Sequence, residues 1–564
     1  MNIIKRKDSI LNIDQYEKDF ERLLKDFINA ASFEEQNVQF ERLNHHRLAY
    51  QASENEARIH YFGDTANDEY NKQYDFFQES EPRWLWMTRE YYKEILNAKF
   101  REQLERQWGN QLFKIADIKL KTYSDEVQED IKMENRLVSE YQELLGKASI
   151  PFDGKEQRLS TFALYLGSPD REVRKAAFEA KSGYFKQHAS DFDRILDNLV
   201  KTRNRIAKTL GYSSFAELGY DRMHRTGHTP DDLVQYRKQV KEHGVQFISS
   251  LRKKQQNRIG VSKLKYYDES YFFKNGSPSP VGTYQEILEV YRAIFHELSP
   301  ETGVFFDELM EKGNFDVESR ANKMGGAFAS YSGPEVATFI FANFNGTSND
   351  VRVFAHEAGH AFQFYMSRHS NIHEYIIPYD SCEVFSFTME RFVWPWMERF
   401  FGEDTQKYQF SNLTEAFIYM PVVSVIDEFE HFLYEFPTTT MQVRKEKWRE
   451  LEHEYLPERD YDGNGFLEQG TGFYEIGHLF TTPFHFMDYD LAHFAAVQLW
   501  IKQKDDPKTA WESFLKMCKQ GGRLPYPELL KSANLESPFE DGSMERLLEK
   551  VKSWIDQVDD RSFE

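Results

Sequence analysis

The chain has 564 residues, of which 40% are hydrophobic, 16% aromatic and 29% charged, with a formal net charge of −21. That length and apolar content suit a deep core and more than one lobe and exclude a disordered chain. The acidic balance argues against a nucleic-acid partner, and two cysteines in such a length argue against a disulfide framework and for a reducing compartment. The opening residues Met1-Asn-Ile-Ile-Lys-Arg-Lys are basic, but Asp14, Glu17 and Asp19 follow instead of an apolar run. No stretch reaches membrane-spanning length, so the expectation is cytoplasmic residence with no membrane partner.

In chain order, residues 12–150 read as long amphipathic helices rich in Glu, Lys, Gln and aromatics, with Pro82 one of the few prolines before Pro151. A second helical array runs from about Thr161 to Arg258 and breaks at Gly227-His-Thr-Pro230. Residues 260–285, with Gly276-Ser-Pro-Ser-Pro-Val-Gly282, predict a surface loop, either between lobes or inside one domain. Strand character is confined to roughly 324–345, and helices follow to the end. No internal repeat or low-complexity segment interrupts the chain. This order suggests an N-terminal helical lobe over 1–200 and a catalytic region over 201–564.

The most informative stretch is Phe354-Ala-His-Glu-Ala-Gly-His360. Residues four apart share one helix face, about one turn apart, so His356 and His360 can offer two imidazole nitrogens to one Zn²⁺. Glu357 can sit beside a metal-activated water as general base. Thr347-Ser-Asn-Asp350 offers N-cap chemistry, and Val351, Phe354, Ala355, Ala358, Phe362 and Phe364 supply buried faces. Taken alone, the pattern also fits a helix with two core or surface histidines.

The next segment, Ser381-Cys-Glu-Val-Phe-Ser-Phe-Thr-Met-Glu-Arg391, reads as a second helix. Catalytic zinc takes three protein ligands and keeps an open position. Glu383 is the candidate third ligand. Glu390, two helical turns on and on the same face, is the candidate carboxylate that fixes a ligand imidazole in its tautomer. Acidic groups inside so aromatic a helix are costly unless paired or ligating. Two imidazoles and one carboxylate favour zinc among the divalent ions.

At these residues the sequence resembles the thimet-oligopeptidase family of zinc metallopeptidases, in its oligoendopeptidase F branch. Other stretches resemble it too: Lys323-Met-Gly-Gly-Ala-Phe328 and Phe341-Ala-Asn-Phe-Asn-Gly-Thr347 before the motif helix, Ile426-Asp-Glu-Phe-Glu-His431, and Gly521-Gly-Arg-Leu-Pro-Tyr-Pro-Glu-Leu-Leu530. The resemblance covers about residues 200–545. It implies a mainly α, elongated, two-lobed zincin-like fold with a deep substrate channel and a small β-sheet beside the zinc helix. It also implies one catalytic Zn²⁺ and short peptides as substrates, because a narrow channel excludes folded proteins.

The same resemblance assigns roles further on. In Tyr474-Glu-Ile-Gly-His-Leu-Phe-Thr-Thr-Pro-Phe-His-Phe-Met-Asp-Tyr489, His478 and Tyr489 match positions that face the metal and donate hydrogen bonds to the oxyanion or the substrate backbone. The family run Phe-Tyr-x-Tyr-x-Tyr is here Phe484-His-Phe-Met-Asp-Tyr489, with His485 and Met487 at tyrosine positions. The strand Gly325-Gly-Ala-Phe-Ala-Ser-Tyr331 either lies along the cleft and pairs with extended substrate, or forms a hairpin with the turn Tyr331-Ser-Gly-Pro-Glu335. The implied reaction is hydrolysis of internal peptide bonds. The alternatives are a silent peptide-binding protein, or a dipeptidyl carboxypeptidase that grips the terminal carboxylate with Arg352, Arg391 or Arg523.

Three other signals point to structure. Asp460-Tyr-Asp-Gly-Asn-Gly465 imitates half an EF-hand loop, but its twelfth position is Thr471, so a turn is expected. His224 and His228 lack a suitably spaced carboxylate and read as a helix end running into Thr229-Pro230. Cys382 reads as a small buried hydrophobe.

Overall fold

The computed structural model of the protein describes residues 11–333 and 338–563. It is mainly helical. The N-terminal part is an array led by Ile13–Ile28, Phe33–Gly63 and Asp68–Leu96. The first is opened by Asn12, which accepts from the Gln15 N–H, and the second by Ser32, which accepts from Glu35. Phe20, Phe27, Phe40, Leu43, Met87, Tyr91 and Ile95 bury one face of each helix in a common apolar cluster. Ile372 and Tyr375, far along the chain, close that cluster.

A second, larger apolar cluster runs from Val127 to Phe563 and takes in both motif helices. The proposed lobes, 1–200 and 201–564, cut across it. Residues 260–285, expected as a surface loop, bury an aromatic underside instead: Tyr266, Tyr267, Tyr271 and Phe273 are all covered. The Asp460–Gly465 segment is the expected turn, with positive φ at Asp462 and Gly463. Its carboxylates are occupied by lysines: Asp460 by Lys263 and Lys265, Asp462 by Lys175 and Lys265. Past His224, Thr229 forms a capping box with Asp232 and starts the helix Pro230–Gln239.

Strands occur beyond the expected region. β1 (Ile150–Phe152) and β2 (Lys155–Gln157) form a small antiparallel hairpin. β3 (Phe315–Glu318), β4 (Phe328–Tyr331) and β5 (Thr338–Phe344) form a second sheet in the order β3-β5-β4. β5 is parallel to β3 and antiparallel to β4. The central strand is buried on both faces. Phe339 and Phe341 pack on Ile59 and Phe62 of the helix Phe33–Gly63, while Ile340 and Ala342 face the larger apolar cluster. The sheet therefore ties the N-terminal array to the motif helix.

The glycine-rich stretch before β4 is a loop, a correction to the strand expected from Gly325. Lys323 turns inward and its ammonium donates to Asp316 Oδ1 at 2.9 Å and to the Ala342 carbonyl at 2.6 Å. Gly326 has φ +94°, and Asn343 clips the carbonyls of Met324 and Gly326. Of the hairpin turn Tyr331–Glu335, Pro334 and Glu335 lie outside the described residues.

Candidate metal centre and active site

The motif helix spans Ser348–Ser367. Its N-cap position is Thr347, inside the segment expected to open it, but the side-chain bonds are not those of a simple cap. The Thr347 hydroxyl donates to Asn345 Oδ1 rather than capping the helix. Asp350, three residues in, reaches back and accepts from the N–H groups of Asn345 and Gly346 at 2.7–3.0 Å. That fixes the turn from β5 into the helix. Val351, Phe354, Ala355, Ala358 and Phe362 anchor the inner face, leaving His356, Glu357 and His360 toward the cleft.

Glu383 sits in the first turn of the helix Cys382–Phe392. The two helices touch at Gly359. A Cβ there would lie 2.5 Å from the Phe385 carbonyl oxygen and 2.7 Å from Ser386 Cα. Only a glycine permits this approach, and the approach brings the ligand atoms together. Glu383 Oε2 lies 3.2 Å from His356 Nε2 and 3.5 Å from His360 Nε2. One ligand atom from each residue falls within 4.8 Å of the others. Ser386 Oγ donates to Glu383 Oε2 at 2.9 Å and holds that carboxylate in place.

Glu390 is buried and lies 2.7 Å from His356 Nδ1. It accepts the Nδ1–H, so that Nε2, once it gives up its proton, turns its lone pair toward His360 and Glu383. Burial works against a charge on Glu390, but the His356 hydrogen bond and the field of Arg352 hold its pKa below the carboxylate range. Burial would lower His356, yet Glu383 and Glu390 together raise it to about 10. A pocket whose carboxylates hold a proton that tightly suits a divalent cation, so the donor set fits Zn²⁺.

Glu357 is buried beside this group, and burial pushes its pKa up against the pull of His356 and His360. The backbone of Ala329 on β4 lies beside its carboxylate and favours the charged form, the smallest of the influences on it. β4 is an edge strand, so the sheet margin runs beside Glu357.

The segment carrying His478 and Tyr489 is held from below. Phe484 has φ +71°. Its N–H donates to the buried Glu430 carboxylate at 2.8 Å, and its carbonyl accepts from Arg225, which also holds Asp488 at 2.7 Å. These contacts orient the turn before the helix Phe486–Asp505. His478, His485 and Tyr489 then cluster, with ring centres 5.2–6.1 Å apart. Tyr489 lies 6.3 Å from the Phe387 ring, which lies 5.1 Å from His356. Burial lowers His478 to about 4, so the imidazole is neutral. Burial and the nearby Glu383 charge raise Tyr489, so its O–H stays protonated.

Of two cavities, the second adjoins the group at Glu390 and Phe387. The first, of about 260 Å³, lies against the N-terminal helices and includes Arg47, Lys119, His224, Glu374 and Tyr379. The second, about 450 Å³, includes Arg352, Phe387, Arg391, Glu415, Tyr489 and His493. Of the three candidate arginines, Arg523 stays apart, over the Tyr375 ring at 5.5 Å. Sequence reasoning missed Ser386, Gly359 and His493, which stacks on Phe387 at 3.6 Å. Gly359 stood inside the motif itself, and a glycine in a helix interior is a signal of close packing. Cys382, expected as a small buried hydrophobe, is only partly buried at the head of its helix.

The sequence profile of peptidase family M3 matches residues 164–548, and that of the peptidase M3 N-terminal domain matches residues 9–123. The chain belongs to peptidase family M3. A solved structure of PZ peptidase A with an inhibitor is 42% identical, with a TM-score of 0.90 over 99% of each chain. Oligopeptidase PepF of Bacillus subtilis is 24% identical over 499 residues, 78% of this chain and 71% of that protein. An oligoendopeptidase F homolog of Borreliella burgdorferi is 24% identical over 67% of this chain and 65% of its own. As an M3 family member the chain is a metallopeptidase, a hydrolase of peptide bonds. Among the described residues no helix is long and apolar enough to cross a membrane.

Proposed function

We propose that this M3 peptidase is a zinc endopeptidase that cuts internal bonds of short cytoplasmic oligopeptides. The observation that carries the reading is the convergence of His356, His360 and Glu383 within 4.8 Å, with Glu357 buried next to them. His356 and His360 would hold the ion through Nε2, and Glu383 through its carboxylate. Bound there, Zn²⁺ supplies a Lewis acid that brings a water pKa toward neutrality and polarises the scissile carbonyl.

The chain's own groups do the rest. Glu390 keeps the His356 Nε2 lone pair directed inward. Glu357 takes the proton of the attacking water on its carboxylate and delivers it to the leaving amine. Its burial raises its basicity, which suits that task. Tyr489 donates its O–H, and neutral His478 an N–H, to the carbonyl oxygen as charge develops there. The outer edge of β4 would align the extended substrate backbone beside Glu357.

Mass spectrometry of a short-peptide library, incubated with wild type or with Glu357→Gln, tests this. Internal cuts by the wild type alone, with zinc present in both proteins, are expected. Release of C-terminal dipeptides only would move the assignment to an exopeptidase. Absence of any cutting while both proteins retain zinc would leave a silent peptide-binding protein.

A further inference from the structure

Five arginines are among the largest fully buried side chains: Arg47, Arg174, Arg203, Arg391 and Arg444. Four have a carboxylate partner. Arg47 meets Glu374 at 2.7 Å, Arg174 meets Asp268 at 2.8 Å, Arg203 meets Glu134 at 2.7 Å, and Arg444 meets Asp197 at 3.2 Å. Arg391 has none within 4.0 Å among the described residues. Its Nε and Nη1 are buried without a hydrogen-bond partner, and its Nη2 makes one long contact, 3.4 Å, to the Asn412 carbonyl. An unpaired charge so deep in a protein is costly and calls for a counter-charge.

Arg391 lines the 450 Å³ cavity, which adjoins the metal-ligand group across Phe387 and Glu390. Arg352 lines it too. The Arg352 guanidinium donates through Nε and Nη2 to Asn349 Oδ1 and makes no ion pair among the described residues. The anionic groups facing this space are accounted for in part. Glu390 is engaged by His356, and Asp490 accepts from the Tyr236 hydroxyl at 2.7 Å. Glu415 has neither arginine within ion-pair distance, so that Glu415 and Glu390 act on Arg352 and Arg391 through space without a direct contact. Tyr419 lines the cavity with nearly half its surface exposed, so the space opens to solvent.

We propose that this cavity is a carboxylate-binding subsite, in which Arg391 and Arg352 hold a carboxylate of the peptide beyond the scissile bond. The inference rests on the peptidase reading above. Two sources supply that chemistry, the C-terminal α-carboxylate and an acidic side chain. With the first source, the cut falls at a constant count from the C-terminus as a peptide is lengthened at its N-terminus. With the second, it follows the acidic residue.

The test uses the full-length protein and peptides that share one scissile sequence. They end in a free acid, an amide, or an amide with a nearby Asp or Glu side chain. Wild type is expected to cut the free acid with a kcat/KM roughly ten- to hundredfold above the plain amide, the size of one charge-assisted hydrogen bond. Arg391→Gln and Arg352→Gln are each expected to shrink that ratio toward one, mostly through KM. Recovery by the amide carrying an acidic side chain assigns the subsite to that side chain. Equal cutting of all three peptides by wild type overturns the subsite and leaves the peptidase reading intact, as does a preference that persists in both variants. Calorimetric binding of the acid and amide peptides to Glu357→Gln separates the converse case. Acid-selective binding without any cleavage by wild type would uphold the subsite and remove the peptidase reading; non-selective binding would overturn the subsite.

Discussion

Arg47 and Arg391 are both buried arginines, and their surroundings differ completely. Arg47 joins two N-terminal helices to the segment leading toward Glu383. Glu374 accepts from it at 2.7 Å, the Tyr92 hydroxyl donates to the same carboxylate at 2.6 Å, and the Tyr91 ring lies 4.0 Å from the guanidinium. Arg391 has the Trp394 ring at 4.5 Å and, among the described residues, no carboxylate within 4.0 Å; Glu390 and Glu415 act on it only through space. The first arrangement closes a charge inside the fold, and its value is structural. The second leaves a charge open beside a reaction centre. Buried ion pairs hold a structure when complete and destabilise it when one partner is missing. The incomplete one therefore points to a counter-charge that arrives from outside.

The largest expected effect contrasts function with folding. Glu357→Gln should lower kcat by roughly two to four orders of magnitude while leaving the unfolding midpoint and zinc content close to wild type. Peptide-cleavage kinetics beside thermal unfolding measure both. A variant that loses fold and activity together would make Glu357 a structural residue, like those around Arg47.

The next effect compares the two arginines directly. Glu374→Gln strips Arg47 of its counter-charge and should cost about 3–5 kcal/mol in urea unfolding. Arg391→Gln removes a charge that had no partner, and in the peptide-free protein it should be neutral or slightly stabilising. Equal destabilisation by both variants would mean that Arg391 is already compensated, and the contrast would collapse.

Titration sharpens the contrast with opposite signs. Glu374 is buried, which favours its neutral form, but Arg47 pulls its pKa down to about 2. A depressed carboxyl contributes stability above its unfolded value, and that contribution is lost as pH falls through 2. Asp490, on the Arg391 cavity, is pushed up to about 7 by burial. A raised carboxyl contributes fully below its unfolded value of about 3.9. That contribution is lost as the pH rises toward 7, at about 1.4 kcal/mol for each pH step of one between the two values. The advantage of wild type over Glu374→Gln should therefore shrink between pH 5 and 2. Asp490→Asn should gain on wild type between pH 4 and 8. Urea melts across pH read both, and parallel curves for Asp490→Asn and wild type would place that carboxyl in ordinary solvent.

The grouping of the candidate metal ligands was largely legible in the sequence because its spacing is local. His356 and His360 are one turn apart on one helix, and Glu383 and Glu390 two turns apart on another, so helical periodicity puts each pair on one face. What periodicity cannot give is which distant residue meets which. Arg47 and Glu374 are 327 positions apart, and Arg203 and Glu134 are 69 apart, so the solitary state of Arg391 emerges only in three dimensions. The missed strands have the same origin. β3 alternates apolar and polar residues, Phe315-Asp-Val-Glu318, but over only four residues, too short a run to stand out, and it is stabilised by parallel pairing to β5. The cap of the motif helix falls at Thr347 as the segment suggested, but which side chain bonds the turn was not legible: Thr347 finds a nearer partner in Asn345, leaving Asp350 to bind it.

The smallest expected effect concerns what positions the metal ligands. At the Arg47 region, a Cβ on Gly522 would lie 2.1 Å from the Glu374 carbonyl. At the metal region, a Cβ on Gly359 would lie 2.5 Å from the Phe385 carbonyl. In each case a backbone atom must yield, so Gly359→Ala and Gly522→Ala should each cost about 1–3 kcal/mol through overpacking. Their consequences diverge. Gly359→Ala pushes back the helix that carries Glu383, Ser386 and Glu390, so it should weaken zinc binding in chelator competition and lower kcat. Gly522→Ala disturbs the segment around the ion pair and should leave zinc affinity near wild type. If both variants lose the same stability and both keep zinc equally well, helix approach at Gly359 does not set the ligand geometry. The centre would then owe its shape to the hydrogen bonds of Ser386 and Glu390 alone, and Ser386→Ala would be the variant that loosens zinc.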